Sequence, residues 1–321
     1  AMRPGRALVT VIAAAPLAAC SRNPSVLLDP AGPHADATAR LFWYFLSVSV
    51  AVWLVVIVLL LLLLGRRRTA DEAVAEPVSP EPSREHRLAW IVGGGVAATV
   101  VILTSFVGLS FAVDRKLIRF DAEPELEIEV TARQWWWEIR YPADPAGGTF
   151  ITANEIHVPV GTSVKLALKS QDVIHSVWLP NLAGKRDVIP GRDAELVIEA
   201  EKPGVWRGRC AELCGYQHAF MGLTLFAEPK EQFEAWQAAQ RAPAAEPQTD
   251  EEKLGRDVFV RGPCGMCHVI RGTDAAGYSS NAPDLTHLKS RTTIGAGAAP
   301  NTKGHLGGWI TDPHGIKPGV H

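Results

Sequence analysis

The chain has 321 residues, which is enough for about two domains, and a net charge of −2. This near-neutral charge, and the lack of a basic face with interleaved aromatic residues, argue against a nucleic-acid-binding protein. Charged residues make up only 21% of the sequence, and the apolar residues are gathered into long runs. The pattern predicts a membrane-anchored, multidomain protein.

Residues 1–19 are predicted to be an export signal of the lipoprotein type. Arg3 and Arg6 supply a positive region, and an apolar core follows over residues 7–15. The next residues, Leu-Ala-Ala-Cys20, resemble a bacterial lipobox, which implies that Cys20 carries a lipid anchor and begins the mature chain. The alternatives are an ordinary signal beside a free cysteine, or an apolar start that is not cleaved.

Two apolar runs, at about 41–64 and 88–113, are each long enough to span a bilayer as a helix. The short connector between them is flanked by arginines, at positions 66–68 and at Arg84 and Arg87. Arginines beside membrane helices favour the cytoplasmic side. The prediction is therefore a transmembrane hairpin with both chain termini on the extracytoplasmic side.

Beyond this two-helix hairpin, which occupies 38–114, an all-β domain is predicted over 115–240. Short runs of alternating apolar and polar residues are separated by glycine and proline, a pattern typical of an antiparallel sandwich or barrel. The predicted strands are 125–130, 155–158, 163–168, 194–199 and 222–226, and a short helix is predicted over 231–240.

Side chains that bind soft metal ions are concentrated in this β domain. Two thiolates, two imidazoles and a thioether favour copper over metals that prefer oxygen. Two cysteines four residues apart on a tight loop can direct both sulfurs at one point, where each can bridge two ions, with one histidine on each ion. A disulfide or a zinc site is the alternative, but neither explains all five residues together. The five are His175, Cys210, Cys214, His218 and Met221.

The segment that contains four of these residues, Cys210-Ala-Glu-Leu-Cys-Gly-Tyr-Gln-His-Ala-Phe-Met221, resembles the signature of subunit II of the haem-copper oxidases, the CuA subunit. The likeness extends through Asp172–Pro180 and Gly184–Arg192. It implies a cupredoxin-like Greek-key fold, with His175 on one loop and the other copper ligands on a second. It also implies that Glu212 gives its backbone carbonyl to copper and its side chain to a magnesium ion at the interface with subunit I.

Three consecutive tryptophans, Trp135 to Trp137, follow Gln134. Because neighbouring side chains of a strand point to opposite faces, at least one ring is expected at the surface or against the membrane. Packing in the core, or an aromatic belt at the lipid interface, accounts for two of them. The resemblance implies that Trp135 is the residue at which electrons enter, with an exposed ring beside the copper site.

Residues 241–250 have the composition of a linker, and a small all-α cytochrome c domain is predicted over 251–321. Its central motif is Cys264-Gly-Met-Cys-His268, in which Cys264 and Cys267 can bond covalently to haem while His268 binds the iron. A redox or zinc-binding cysteine pair is the alternative. Residues 281–288 and 309–319 resemble the class I cytochrome c domain fused to subunit II in caa-type oxidases, which implies a covalently bound haem c.

The distal iron ligand is expected to be a methionine shortly after Lys317-Pro-Gly319, by the same resemblance. The printed sequence reaches His321 without it. Either this methionine follows directly, or His305, His314 or His321 binds the iron in its place. Histidine would give a lower haem potential than methionine.

Together these motifs predict a relay of two one-electron centres on a membrane anchor. The resemblance implies subunit II of a caa-type cytochrome c oxidase in the bacterial cytoplasmic membrane, passing electrons from haem c to CuA and on to haem a of subunit I. There oxygen would be reduced to water with proton pumping. The implied partners are subunit I with its haem a and copper, the other oxidase subunits, and cytochrome c or a quinol–cytochrome c reductase as donor. The alternatives are the corresponding subunit of a CuA-containing nitric oxide reductase, and a copper-carrying or assembly lipoprotein.

Overall fold

The computed structural model describes residues 28–65, 82–120, 124–145, 147–275 and 282–320. The described part of residues 1–36 forms one compact unit with residues 123–321, and residues 37–122 form another. The predicted signal with Cys20, the arginines at 66–68 and His321 lie outside the described residues.

The second unit is a pair of long helices, α1 (Pro33–Gly65, whose first turn belongs to the other unit) and α2 (Pro82–Phe120). Both are long and apolar enough to cross a membrane, and they contain the two predicted spans. The ring centroids of Phe45 and Phe106 lie 4.2 Å apart, and the Tyr44 hydroxyl is 3.0 Å from Ser105 Oγ. Most of the leucine and valine side chains are exposed, which fits a membrane anchor whose apolar surface is solvated by lipid.

The first unit is built on a β-sandwich of two five-stranded sheets. The strand orders are β3-β2-β1-β5-β8 and β4-β10-β9-β6-β7. The strands are β1 (Leu126–Arg133), β2 (Trp136–Tyr141), β3 (Phe150–Ala153), β4 (Glu155–Pro159), β5 (Val164–Ser170), β6 (His175–Trp178), β7 (Lys185–Val188), β8 (Ala194–Ile198), β9 (Gly204–Cys210) and β10 (Gly222–Glu228).

The five predicted runs correspond to β1, β4, β5, β8 and β10, and the sandwich is confirmed. The expectation that all neighbouring strands are antiparallel was wrong, because β1 pairs with β5 and β4 pairs with β10 in parallel. The reason is the path of the chain. It leaves the first sheet after β3, adds β4 to the second sheet, and returns as β5 beside β1 in the same direction.

The core lies between the two sheets and is made of the inward-facing residues of each strand. In β5, Val164, Leu166 and Leu168 are buried, while Lys165 and Lys169 point outward. Each such aliphatic side chain contributes about 1.5–3 kcal/mol when it is buried. This packing makes the sandwich a rigid frame for the loops at its ends.

The helix α3 (Lys230–Arg241) confirms the predicted helix and covers one end of the core. Phe233 is buried against the sandwich, and the Trp236 ring stacks on His157 with 4.0 Å between centroids. Residues 242–249 form neither helix nor strand.

The C-terminal segment, residues 250–320, is mostly helical in its described parts. Its helices are α4 (Asp250–Arg261), α5 (Cys264–Cys267), α6 (Lys303–Thr311) and α7 (Pro313–Ile316), with a 3-10 turn at Leu288–Ser290. The expectation of an all-α segment is only partly met, because β11 (Thr293–Ile294) and β12 (Ala299–Pro300) form a short hairpin. Its turn contains Gly295 and Gly297, both with the positive φ that glycine adopts without strain. Asn281 lies outside the described residues.

Candidate metal centre

The five predicted metal-binding side chains converge at one end of the sandwich. His175 begins β6 and Cys210 ends β9, and these two strands are paired. The other three residues lie on or next to the loop from β9 to β10. A hydrogen bond of 3.0 Å from Cys210 N to Met221 O closes this loop at its base. Gly215 turns the loop with a φ of 114°, a conformation that favours glycine.

Each histidine lies beside a different cysteine. The Nδ1 atom of His175 is 3.9 Å from Cys210 Sγ, and Nδ1 of His218 is 3.8 Å from Cys214 Sγ. The two sulfurs are 3.7 Å apart, which is too far for a disulfide of about 2.05 Å. The sulfur–sulfur distance is shorter than the combined length of two metal–sulfur bonds of about 2.3 Å each, so one ion can bind both sulfurs.

Two weaker donors complete the arrangement. The Met221 Sδ atom is 3.9 Å from Cys214 Sγ, and the Glu212 carbonyl oxygen is 3.2 Å from Cys210 Sγ. Two thiolates, two imidazoles, a thioether and a carbonyl oxygen form a donor set that fits copper. Zinc sites use nitrogen, thiolate and carboxylate ligands, so the buried thioether favours copper.

The donors on the sandwich side are closed to solvent. His175 and Met221 are 0% exposed, and Cys210 and Cys214 are 2% and 3% exposed. His218 is partly buried, and the Glu212 side chain points to the surface while its carbonyl faces the sulfurs. The Glu212 carboxylate is therefore accessible to another metal ion or subunit.

The protonation of the two thiols is strongly coupled. The hydrogen bond with Cys214 holds the pKa of Cys210 far below its ordinary value, against the opposing effect of burial. The same hydrogen bond, together with burial, raises the pKa of Cys214. One thiolate therefore forms readily, and the second proton leaves only when positive charge replaces it, as metal binding does.

The orientation of His175 is fixed by Asp172, a residue for which the sequence alone indicated no role. Asp172 Oδ1 lies 2.7 Å from His175 Nε2, so that Nδ1 faces Cys210. Burial alone would lower the pKa of His175, but hydrogen bonds to Cys210 and Asp172 outweigh it and the pKa is raised. Asp172 Oδ2 also accepts a hydrogen bond of 2.6 Å from Gln134 N. A carboxylate that orients a metal-binding histidine is a common second partner of such sites.

Trp135 lies against the loop from β9 to β10, which we call the copper-binding loop. Its ring was expected to be exposed, but it is buried. It is only 6% exposed, and its indole Nε1 donates a hydrogen bond of 2.9 Å to the Cys214 carbonyl. The ring is covered by the loop itself, since a Cβ atom on Gly215 would lie 3.1 Å from it. Lys317 of the C-terminal segment covers the Trp135 backbone, with Nζ 2.8 Å from its carbonyl oxygen. Of the three tryptophans only Trp136 is partly exposed.

The Cys264–His268 motif forms a second candidate site. Cys264 and Cys267 are free and exposed at the two ends of α5, so both thiols are available for covalent attachment. His268 Nδ1 donates a hydrogen bond of 2.8 Å to the Pro283 carbonyl. This fixes the ring and leaves Nε2 for an iron ion, so these residues fit a c-type haem.

Two of the histidines considered as distal ligands of the haem iron, His305 and His314, make local contacts through Nδ1. His305 Nδ1 lies 2.8 Å from Thr302 Oγ1, and His314 Nδ1 accepts a hydrogen bond of 3.2 Å from Gly319 N.

Comparisons with known proteins place this architecture in a family. Residues 145–227 match the family described as cytochrome c oxidase subunit II, periplasmic domain. Cytochrome c oxidase subunit 2 of Alkalihalophilus pseudofirmus is 32% identical over 91% of this chain and 83% of its own length. The same subunit of Bacillus sp. strain PS3 is 31% identical over 94% of this chain and 86% of its own.

Solved structures give shorter matches. The periplasmic domain of subunit II of the Bradyrhizobium japonicum cytochrome oxidase is 33% identical, with a TM-score of 0.35, over 37% of this chain and 94% of that chain. A chain of a heme-copper terminal oxidase dimer is 26% identical, with a TM-score of 0.33, over 42% of this chain and 97% of that chain.

A β-sandwich that gathers two cysteines, two histidines and a methionine at one end defines a copper-binding electron-transfer domain, here with an apolar helix pair as membrane anchor. The chain belongs to the cytochrome c oxidase subunit II family. It is thus a subunit of a haem-copper oxidase, and it forms the part at which electrons enter that enzyme.

Proposed function

We propose that the chain is the second subunit of a caa-type oxidase and carries electrons between two centres of its own. Haem c bound at Cys264, Cys267 and His268 would pass electrons to a binuclear copper centre in the sandwich. They would continue to haem a of subunit I, where oxygen is reduced to water with proton pumping. The observation that carries this proposal is that both sets of donor atoms belong to one compact unit.

The copper centre would use Cys210 and Cys214 as bridges between two ions. His175 and His218 would each give an imidazole to the copper, and Met221 and the Glu212 carbonyl would be the weaker ligands. When bound, the copper pair accepts and releases one electron. The protein holds the donors still, because β6, β9 and the loop closure at Met221 fix their positions and Asp172 fixes the His175 ring. A rigid, water-excluding ligand set keeps the rearrangement between oxidation states small.

Trp135 would be the residue through which electrons reach the copper centre. Its indole is hydrogen-bonded to the Cys214 carbonyl, and its own carbonyl is held by Lys317 of the C-terminal segment. Trp135 therefore connects the segment that carries the haem motif with the loop that carries the cysteines. Because the Trp135 ring is buried, it is suited to electron transfer between the two sites within this chain.

The remaining parts of the proposal concern partners and location. The exposed Glu212 carboxylate would bind a magnesium ion together with subunit I. Cytochrome c or a quinol–cytochrome c reductase would supply electrons, and other oxidase subunits would complete the assembly. The chain would cross the bacterial cytoplasmic membrane twice, with a lipid anchor at Cys20 and with both redox sites outside.

The test is gas consumption by the intact complex purified through this subunit. With reduced cytochrome c as donor, we expect oxygen uptake together with absorption from both haem c and the copper pair. Nitric oxide consumption with little oxygen uptake would assign the same sites to a nitric oxide reductase. A complex that lacks both spectra and consumes neither gas would refute the proposal and favour a copper carrier.

A further inference from the structure

Two buried charged side chains connect the C-terminal segment to the sandwich. Glu155, the first residue of β4, is 4% exposed, and Lys317, which follows α7, is 2% exposed. Neither belongs to the copper or haem donor sets. Burying a charged group is costly unless it is paired or hydrogen-bonded. The hydrogen-bond partners of Glu155 and Lys317 therefore indicate the structural role of each residue.

Glu155 receives its hydrogen bonds from the C-terminal segment. Its Oε1 atom accepts from Thr292 N at 2.7 Å, from Thr292 Oγ1 at 2.5 Å and from Thr293 N at 3.3 Å. The half-buried Arg291 guanidinium lies within electrostatic reach of the same carboxylate. If the segment moved away, these backbone donors would lose their acceptor.

Lys317 belongs to the C-terminal segment and donates one hydrogen bond to the sandwich and one within its own segment. Its Nζ atom donates to Trp135 O at 2.8 Å and to Gly295 O at 3.0 Å. Burial lowers the pKa of Lys317 to about 8. The lysine thus ties the β11–β12 turn to the tryptophan whose indole bonds the Cys214 carbonyl.

A close backbone contact lies at the same turn. Gly222 N donates a hydrogen bond of 2.9 Å to Ala296 O, and a Cβ atom on Gly222 would lie 2.7 Å from that oxygen. Gly222 directly follows Met221, so the β11–β12 turn rests against the end of the copper-binding loop.

From these contacts we propose that Glu155 and Lys317 form a two-point latch that fixes the C-terminal segment against the copper-binding end of the sandwich. Both are positioning residues. They set the placement of the haem motif relative to Trp135 and do not touch either metal. The functional part of this inference rests on the proposed haem-to-copper transfer, but the latch itself is a property of the polypeptide.

The test uses the full complex with two latch variants, Lys317→Met and Glu155→Gln. The matched control is Lys303→Met, since Lys303 lies in the same segment with a side chain that is 97% exposed. Hydrogen exchange is measured at Thr292, Thr293 and Gly222, whose amides donate across the interface. We expect at least about tenfold faster exchange in both latch variants and no change in the control.

The second readout is haem-to-copper electron transfer after a flash from a photoreductant. We expect slower transfer in both latch variants, with unchanged copper and haem spectra. If Lys317→Met fails to fold, Thr292→Val takes its place, because it removes one donor to Glu155 and keeps the side-chain shape. Unchanged exchange and unchanged transfer in the folded variants would overturn the latch. A wild-type complex without haem c or copper absorption would instead count against the proposed function, and the exchange measurement would still decide the latch.

Discussion

At the residue scale, the proposed copper site pairs each imidazole with one sulfur. His175 approaches Cys210 and His218 approaches Cys214, at nearly equal distances of 3.9 and 3.8 Å. Loss of either histidine therefore leaves one of the two proposed ions with sulfur ligands and a weak donor only. The haem motif shares none of these residues.

The first prediction concerns His218. We expect His218→Ala to abolish the absorption and electron paramagnetic resonance of the binuclear copper pair and to leave the haem c spectrum unchanged. His287→Ala is the control, because His287 contacts the Ala242 carbonyl and lies outside the copper site. A normal copper signal in His218→Ala would refute this ligand set.

The second prediction concerns the partner of His175. Asp172→Asn removes the negative charge that orients the ring, and we expect copper affinity to fall by about 10- to 100-fold. Titration of the metal-free protein against a competing copper chelator measures the change. Asp193→Asn, at an exposed position, should leave the affinity unaltered. Equal affinities of the two variants would reduce Asp172 to a packing role.

The functional residues that could be predicted from the sequence differ from those that could not in how far apart along the chain their contact partners lie. Four of the copper-site side chains lie within residues 210–221, so their spacing alone indicated a common site. Lys317 contacts Trp135 across 182 positions, and Glu155 contacts Thr292 across 137. Neither has a local pattern that reveals its partner. The expectation of an exposed ring at Trp135 was wrong for a similar reason, since the ring is covered by the loop of Cys214, which lies 79 positions away in the sequence.

At the element scale, the pairing of β6 with β9 sets Cys210 opposite Val177, two residues from His175, and so brings the Cys210 sulfur near the His175 ring. These two strands and β7 were not predicted. The residues of β7 are mostly charged and exposed at a sheet edge, and β9 contains glycines at both Gly204 and Gly208. The strands with clear apolar alternation, such as β5, could be predicted because their period is visible without tertiary context.

The third prediction tests how close these strands must lie. A Cβ atom on Gly208 would be 2.7 Å from the Trp178 carbonyl oxygen and 2.8 Å from a Leu179 methyl carbon. Gly208→Ala should therefore push β9 away from β6, lower the free energy of unfolding by about 1–3 kcal/mol, and weaken copper binding.

Thermal unfolding of the complex and copper titration measure both effects of Gly208→Ala. Gly148→Ala is a matched control, since its added Cβ would meet nothing within 4 Å. An equal melting temperature in the two variants would contradict the close packing of β6 and β9.

At the scale of the whole molecule, the sandwich and the C-terminal segment are connected by hydrogen bonds as well as by the linker between them. Residues 242–249 have no regular structure, as their composition predicted, yet Ala244 N donates to Arg271 O at 2.9 Å. The Arg271 guanidinium in turn donates to the Arg241 carbonyl at 3.3 Å. The sequence predicted the order of the segments, and the division into separate domains stays a prediction. Their contacts depend on tertiary structure that composition does not encode.

The fourth prediction concerns ionic strength. Salt screens exposed charges over about 10 Å at 0.1 M, but it screens buried pairs much less. Because Glu155 and Lys317 are buried, haem-to-copper transfer should change little between low and high salt. Delivery from external cytochrome c, which depends on exposed charges, should change strongly in the same experiment. A steep salt dependence of the internal step would mean that the segment is docked by surface charge.

The proposed function requires electrons to pass from the C-terminal haem to the copper pair within this one chain. Flash photoreduction of the intact complex, followed at the haem c and copper absorption bands, tests it most directly. We expect haem c to be reduced first and its reoxidation to have the same rate constant as copper reduction. In His218→Ala the haem should stay reduced. Copper reduction that precedes haem reduction, or haem reoxidation at an unchanged rate in His218→Ala, would contradict the account.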